Sequence, residues 1–318
     1  VTPQAIELVV PREAGGARLD RFVAGALGVS RTEVQRWIAA GRVAVDGGVR
    51  DASARVREGE RVRVDPQPGR ATRAVAEDGV RFEVMYVDDE LVVVNKPPGL
   101  VVHPARGHEA GTLVNGLLAR GLFRRDVEVD DETNARPGIV HRLDKGTSGV
   151  MVVARTPEAR EALKAQFQAH TIDRLYEAIV VGEAHDATFD TLHGRHPRDR
   201  LRFTSSARLL RSGKRAVTHV RVLARLAGAT HVACTLSTGR THQIRVHLSE
   251  SGTPVLGDPL YGRPPRDSAL LAVAEALGHQ ALHARVLGFV HPRTGQRVRF
   301  EAEPPSDFLE ALATLGIR

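Results

Sequence analysis

Along this chain the spacing of apolar residues changes repeatedly, and each change marks an element. Leu19, Phe22, Val23, Ala26 and Leu27 return at intervals of three and four, which predicts a helix with one buried face. Ser30 followed by Glu33 is a capping box that opens a second helix through Val34, Trp37 and Ile38, and Gly41 stops it. "RVAVDGGVR" then alternates around Asp46-Gly47, a two-residue hairpin signal, and "GERVRV" adds a further strand. Residues 67–79 are polar and interrupted by glycine, the composition of a linker. Beyond it, "FEVMYVDDELVVVNKPPG" predicts a strand, an acidic turn, a second strand and a rigid loop. Gly138-Ile-Val and Gly149-Val-Met-Val-Val read as short buried strands on either side of a polar cluster. Thr156-Pro157-Glu158 starts a helix to about Ala169. "LYEAIVVG", "AVTHVRVLARL" and "THVACTLST" are strands, and Thr241 is placed to cap a helix carrying "HQIRVHL". Strands and helices do not alternate strictly, which argues against a doubly wound parallel sheet. The pattern predicts an α+β protein: a small α-α-β-hairpin domain in residues 1–66, a linker over 67–79, and a domain over 80–318. The last is built on a mixed, mainly antiparallel sheet flanked by helices.

Composition narrows the function classes. The 318 residues are 42% hydrophobic and 26% charged, enough to bury a sizeable core. No apolar run approaches the roughly 18–20 residues that cross a bilayer, and the first residues lack the basic-then-apolar order of an export signal. Cys234 is the only cysteine, so no internal disulfide and no cysteine zinc site can form. A cytoplasmic protein is expected. The net charge is +7, and all but four of the 45 basic residues are arginine. Codon preference produces such a bias. So does a polyanionic partner, because the guanidinium fork suits phosphate and stacks on bases.

Several chemistries are missing. "HRLD" is shared with the kinase catalytic loop, but no glycine-rich loop or Asp-Phe-Gly accompanies it. There is no Walker or dinucleotide motif, and His242 and His247 lack the spacing of a zinc pair. What remains is "GIVHRLDKGTSGVMVV", where Asp144 sits among His141, Arg142 and Lys145 at a strand break. A carboxylate flanked by cations there is either a solvated turn or an acid that does chemistry without metal or cofactor.

Two resemblances bear on that choice. "RLDRFVAGALGVSRTEVQRWIAAGRVAVDGGVRDASARVREGERVRV" resembles the S-four-type RNA-binding domain, with Asp46 and Glu60 where Asn and Asp are usual. Its arginines Arg31, Arg36 and Arg42 are the expected RNA contacts. "VVVNKPPGLVVHP", "GIVHRLDKGTSGVMVVAR", "LYEAIVVGE", "STGRTHQIRVHL", "GDPLYG" and "ALHARVLGFVHP" follow one another in the order of the RluA-type pseudouridine synthases, most like their RluD-like branch. That resemblance implies an isomerase acting on uridines, most closely those clustered in a loop of large-subunit (23S) ribosomal RNA. A transfer-RNA enzyme and a non-catalytic RNA-binding assembly factor are the alternatives. It makes Asp144 the nucleophile, toward either the anomeric carbon or carbon 6 of the base, and Arg245 the cation that pairs with it bidentately. Burial opposes an ionised carboxylate and a cation restores it. It makes Tyr176 the active-site tyrosine and Arg142 the residue that fills the stack vacated by the uridine. Leu282 would wall the base pocket, and His141 and Lys145 would shape the loop or meet phosphate. Gly146 stands where relatives commonly carry a side chain, which would loosen the loop. No cofactor, metal, DNA or membrane is expected, and the protein is expected to act as a monomer.

Overall fold

In the computed structural model, which describes residues 5–29, 31–66, 74–104, 108–123 and 137–316, the chain divides into two units, Val1–Ala71 and Thr72–Arg318. In the first, the apolar stripes of the helices Leu19–Leu27 and Arg31–Ala39 bury Leu19, Val23, Val34, Trp37 and Ile38 against a small sheet. Ala26 faces solvent, and Ala24 takes the buried position instead. Ser30, expected to cap the second helix, lies outside the described residues. The sheet has the order β1-β4-β2-β3, with β1 Ile6–Val9, β2 Val43–Val45, β3 Gly48–Val49 and β4 Arg61–Val64, and all its pairs are antiparallel. Strand β1 has no counterpart in the expected elements. Its residues are largely exposed, so no burial alternation announces it, and it exists through its pairing with β4. At the β2–β3 turn Asp46 and Gly47 both have positive φ, 49° and 80°, as a two-residue hairpin of this hand requires. Buried Asp20 ties the helices together by accepting from Arg18, Arg31 and Gln35, and these donors hold its carboxyl far below the ordinary range against the pull of desolvation.

The second unit is built on a ten-stranded sheet in the order β10-β9-β11-β12-β8-β13-β7-β6-β5, with β14 paired to β13. Its strands are β5 Glu83–Val87, β6 Leu91–Lys96, β7 Ser148–Ala154, β8 Asp173–Val181, β9 Ala187–Arg195, β10 Phe203–Thr204, β11 Lys214–Arg225, β12 Ala229–Leu236, β13 Leu282–Val290 and β14 Arg297–Glu301. Among the described pairs only β13–β7 is parallel. Both faces of the β6–β7 region are covered, which is why its strands read as continuous apolar runs. Leu91, Val93, Val150 and Val152 pack with Leu163 of the helix Pro157–Ala169. Val92, Val94, Met151 and Val153 pack with the helix Leu113–Ala119. The helices Gln243–Glu250, Ser268–Leu277 and Ser306–Leu315 contribute to a third cluster around β8 and β12. Among the described residues no helix is long and apolar enough to cross a membrane.

Three expected elements differ. Gly138–Val140 is not a strand: β13 pairs with β7 only at His283↔Ser148 and Ala284↔Gly149, and beside the far end of β7 Ile139 makes a single bridge to Val153. Thr241 does not cap the helix of "HQIRVHL". His242, in the left-handed region at φ 59°, is the cap, while the Thr241 carbonyl lies 2.9 Å from His193 Nε2. Of the expected linker, residues 67–73 lie outside the described residues. Residues 74–77 belong to the large unit, where Ala74 is buried and Asn115 bonds to the Val75 carbonyl and the Glu77 amide.

Candidate active site

The polar loop 141–147 enters β7 through a glycine that the packing demands. At Gly149, φ 116°, a Cβ would lie 2.2 Å from the Ala284 carbonyl oxygen, so only glycine lets β7 and β13 approach this closely. Three anchors then fix the loop. Lys96, fully buried at the end of β6, donates from Nζ to the carbonyls of Pro97, Leu100 and Lys145. Burial pushes its pKa down to about 7, against the pull of the Asp144 charge. Thr147 donates its amide to the Asp144 carbonyl and accepts from Gln280 Nε2. His141 accepts the Val152 amide at Nε2 and stacks on Phe167 at 4.6 Å.

The Asp144 side chain, one-fifth exposed, looks into a cleft of about 510 Å³ with a smaller recess beside it. Arg245 Nη1 donates to Asp144 Oδ2 at 2.8 Å. The expected two-pronged pairing with Asp144 is absent, because the guanidinium spends its fork elsewhere. Nε and Nη2 donate to the two oxygens of buried Asp258 at 2.7 and 2.8 Å. Asp258 also accepts from the Leu260 and Tyr261 amides. Burial works to raise the Asp258 pKa, and Arg245 with these amides outweighs it, so the carboxyl stays below its ordinary range. Arg245 is held charged, with the Tyr261 ring centroid 5.1 Å away. The Tyr261 hydroxyl oxygen accepts the Phe203 amide and lies 2.8 Å from His242 Nδ1, which leaves His242 Nε2 3.7 Å from Asp144 Oδ1. Burial lowers the His242 pKa, favouring the neutral ring.

Around this carboxylate the fold gathers Arg142, Tyr176, Arg245 and Leu282. Tyr176 is half-buried on β8, and burial raises its phenol pKa, so its hydroxyl keeps its proton at neutral pH. Arg142 is exposed at the cleft, and Leu282 is buried in the wall of the recess. His141 also borders the cleft but is no cation for phosphate. Burial and the Arg174 charge drive its pKa to about 3, and its Nε2 is taken by backbone, so it serves as a neutral loop anchor. Lys145 points to solvent and does not line the cleft; its carbonyl is what the loop uses. Gly146 does not loosen the loop. A Cβ there would lie 2.3 Å from Gln280 Oε1, so the glycine makes room for the side chain that holds Thr147. In the other unit Arg31 bonds to Asp20, Arg42 bonds to Asp65, and Arg36 is exposed on its helix. Asp258 and Lys96 were not singled out from the sequence and His242 was weighed only as a zinc ligand and set aside, though each lies in a quoted motif, and a lysine closing an apolar strand was a readable signal of burial. Among the described residues no group of three or more His, Cys, Asp or Glu side chains is placed to hold a metal ion.

Comparison with known proteins places this arrangement. The family model described as RNA pseudouridylate synthase matches residues 90–250, and the S4 domain model matches residues 17–62. The chain is 42% identical, over 99% of its length and 83% of the relative's, to a Neisseria meningitidis protein named ribosomal large subunit pseudouridine synthase D. It is 43% identical to the protein of that name from Pseudomonas aeruginosa, over 96% of this chain and 94% of that one. A Bacillus subtilis relative, 42% identical over 98% of each chain, is named only as an uncharacterised RNA pseudouridine synthase, YlyB. Among solved structures, the human RNA pseudouridylate synthase domain containing 4 protein superposes with a TM-score of 0.55 at 26% identity, over 73% of this chain and 92% of that one. The human domain containing 1 protein, at 23% identity and a TM-score of 0.58 over 77% and 92%, shares the fold.

Proposed function

The chain belongs to the RNA pseudouridylate synthase family, and from that premise we propose that it isomerises clustered loop uridines of large-subunit ribosomal RNA with Asp144 as nucleophile. The observation that carries the reading is the chain Asp144–Arg245–Asp258, in which a buried, doubly held guanidinium presents one N–H to a carboxylate in the cleft.

The reaction breaks the bond from base nitrogen N1 to the sugar and makes one from C5. The C5 proton leaves, N1 gains one, and the atoms balance without oxidant or cofactor. Arg245 offsets the cost of keeping Asp144 charged in a half-buried cleft and fixes Oδ2, leaving Oδ1 to attack. Tyr176, which lines the cleft, offers a ring for the base to stack on, and its protonated hydroxyl can assist proton transfer. Extruding a nucleotide costs a few kcal/mol, least for a loop uridine, and the Arg142 guanidinium offsets part of this by entering the vacated stack. The recess walled by Leu282 receives the base.

RNA is the partner, and the two ends of the chain divide the work. Residues 1–66, with Arg31, Arg36 and Arg42 at the surface of the S4 unit, extend the footprint beyond one loop, which suits recognition by shape and context. Residues 80–318 carry the chemistry. The protein acts as a cytoplasmic monomer on ribosomal RNA or its precursor particles. The deciding experiment maps pseudouridine across all cellular RNA with and without this protein. The expected result is the loss of several neighbouring pseudouridines in one loop of the large-subunit RNA. Loss confined to a transfer RNA would overturn the target, and no loss anywhere would overturn the activity.

A further inference from the structure

Arg174 lies on β8 two residues before Tyr176, so the strand period turns both side chains to the same face. It is 7% exposed, yet among the described residues no carboxylate pairs with it. Its Nε has no hydrogen-bond partner among the described residues, and Nη2 reaches only the Leu236 carbonyl, at 3.5 Å. The titratable groups that interact with it are Tyr176, Arg240, His141 and His170, none of them a carboxylate, and burial lowers its pKa. A buried cation in this state is costly unless something arrives to pair with it. The fold nevertheless makes room for it. Its guanidinium lies 5.9 Å from the Phe167 ring centroid and occupies the space left by Gly239, where a Cβ would come within 2.3 Å of Nη1. Arg174 and Arg240 line the cleft with Arg142, Lys164 and His170. Asp144 is the only carboxylate lining it among the described residues, and Asp144 is already paired with Arg245.

We propose that Arg174 and Arg240 form a phosphate subsite that binds a phosphodiester of the RNA strand adjoining the uridine brought to Asp144. A phosphate in the cleft supplies the counter-charge that Arg174 lacks within the fold, and the anion relieves two like charges facing one cleft. The planar fork matches phosphate geometry as a lysine would not. The subsite fixes the strand backbone beside the nucleophile, which makes Arg174 a positioning residue. This rests on the proposed activity in taking RNA as the ligand.

The test is a scan of a synthetic stem-loop RNA with loop uridines, carrying one uncharged methylphosphonate linkage at a time, with binding read by fluorescence anisotropy. For the wild type, affinity should fall about tenfold at one linkage, roughly the 1.4 kcal/mol of one decade. Arg174→Gln and Arg240→Gln should each bind unmodified RNA about tenfold more weakly and lose nothing further at that linkage. Without RNA, Arg174→Gln should melt at or above the wild-type Tm, because an unpaired buried charge has been removed. Losses that multiply at every linkage would overturn the subsite. So would an Arg174→Gln protein that melts well below wild type while binding RNA normally, the behaviour of a merely structural arginine. The anisotropy does not depend on turnover. A wild type that couples at one linkage but forms no pseudouridine would refute the activity and keep the subsite, whereas pseudouridine formation without coupling would refute the subsite alone.

Discussion

Replacing Asp258 with asparagine tests whether Arg245 acts through its second carboxylate. The change preserves shape but places an amide NH₂ where Arg245 donates, so one of two charge-assisted bonds is lost to a donor–donor contact and the other weakens. A hydrogen bond to a charged group contributes about 1.5–3 kcal/mol, and breaking a buried ion pair costs roughly 3–5 kcal/mol. The Asp258 side chain is fully buried, so solvent screening does not soften the loss. Asp258→Asn should therefore lower stability by about 3 kcal/mol in urea unfolding. It should also slow single-turnover tritium release at saturating RNA by about ten- to a hundredfold, since about 1.4 kcal/mol of lost orientation is a decade. RNA affinity should hold, because Asp258 lies behind Arg245. Arg245→Met should itself lose at least about tenfold, and adding Asp258→Asn should cost nothing more in rate. A destabilised Asp258→Asn enzyme with wild-type turnover would show that Asp258 does not act through Arg245, and so would rate losses that multiply in the double variant.

Other outcomes follow from single contacts. Gly146→Ala forces Gln280 off Thr147 and should cost about 1–2 kcal/mol of stability together with slower turnover, since overpacking a filled site costs in that range; an unchanged Tm would show that the loop has slack. Burial and the neighbouring His193 push the His247 pKa to about 4 from an ordinary 6.5, so the fold holds the ring neutral while the unfolded chain takes up a proton. Stability should fall as pH drops from about 6.5 toward 4, by up to about 1.4 kcal/mol per pH unit for this group, and His247→Gln should flatten that part of the curve measured by urea unfolding. Arg36→Ala should make the slope of log Kd against log salt shallower by about 0.7–0.9 if that side chain meets a phosphate, and an unchanged slope would remove it from the RNA footprint.

Much of the architecture was legible because it rests on local signals. Helices announced by spacing and capping, such as Thr156-Pro157, and the Asp46-Gly47 hairpin follow from neighbours in sequence. Elements that exist only through long-range partners were not legible. Strand β1 is held by β4, more than fifty residues away, and Gly138–Val140 has the composition of a strand but makes only one bridge, Ile139 to Val153. The same division runs through the site. Asp144, Tyr176 and Arg245 carry recognisable motifs. Which carboxylate takes Arg245's fork depends on a turn thirteen residues on, and nothing in "GDPLYG" by itself says that Asp258 faces that helix. His141 has the sequence context of a phosphate contact, yet the Val152 amide and the Phe167 ring make it a neutral anchor. Gly146 read as a loosened loop because Gln280, which fills its space, lies 134 residues away in sequence.

The most direct measurement of the central claim is tritium release from 5-³H-uridine in large-subunit ribosomal RNA by purified Asp144→Asn beside the wild type. The substitution keeps size and the contact with Arg245 but removes the negative charge, so no release above background is expected while RNA affinity stays within a few-fold of wild type. Multiple turnover by Asp144→Asn would contradict it and place the nucleophile elsewhere.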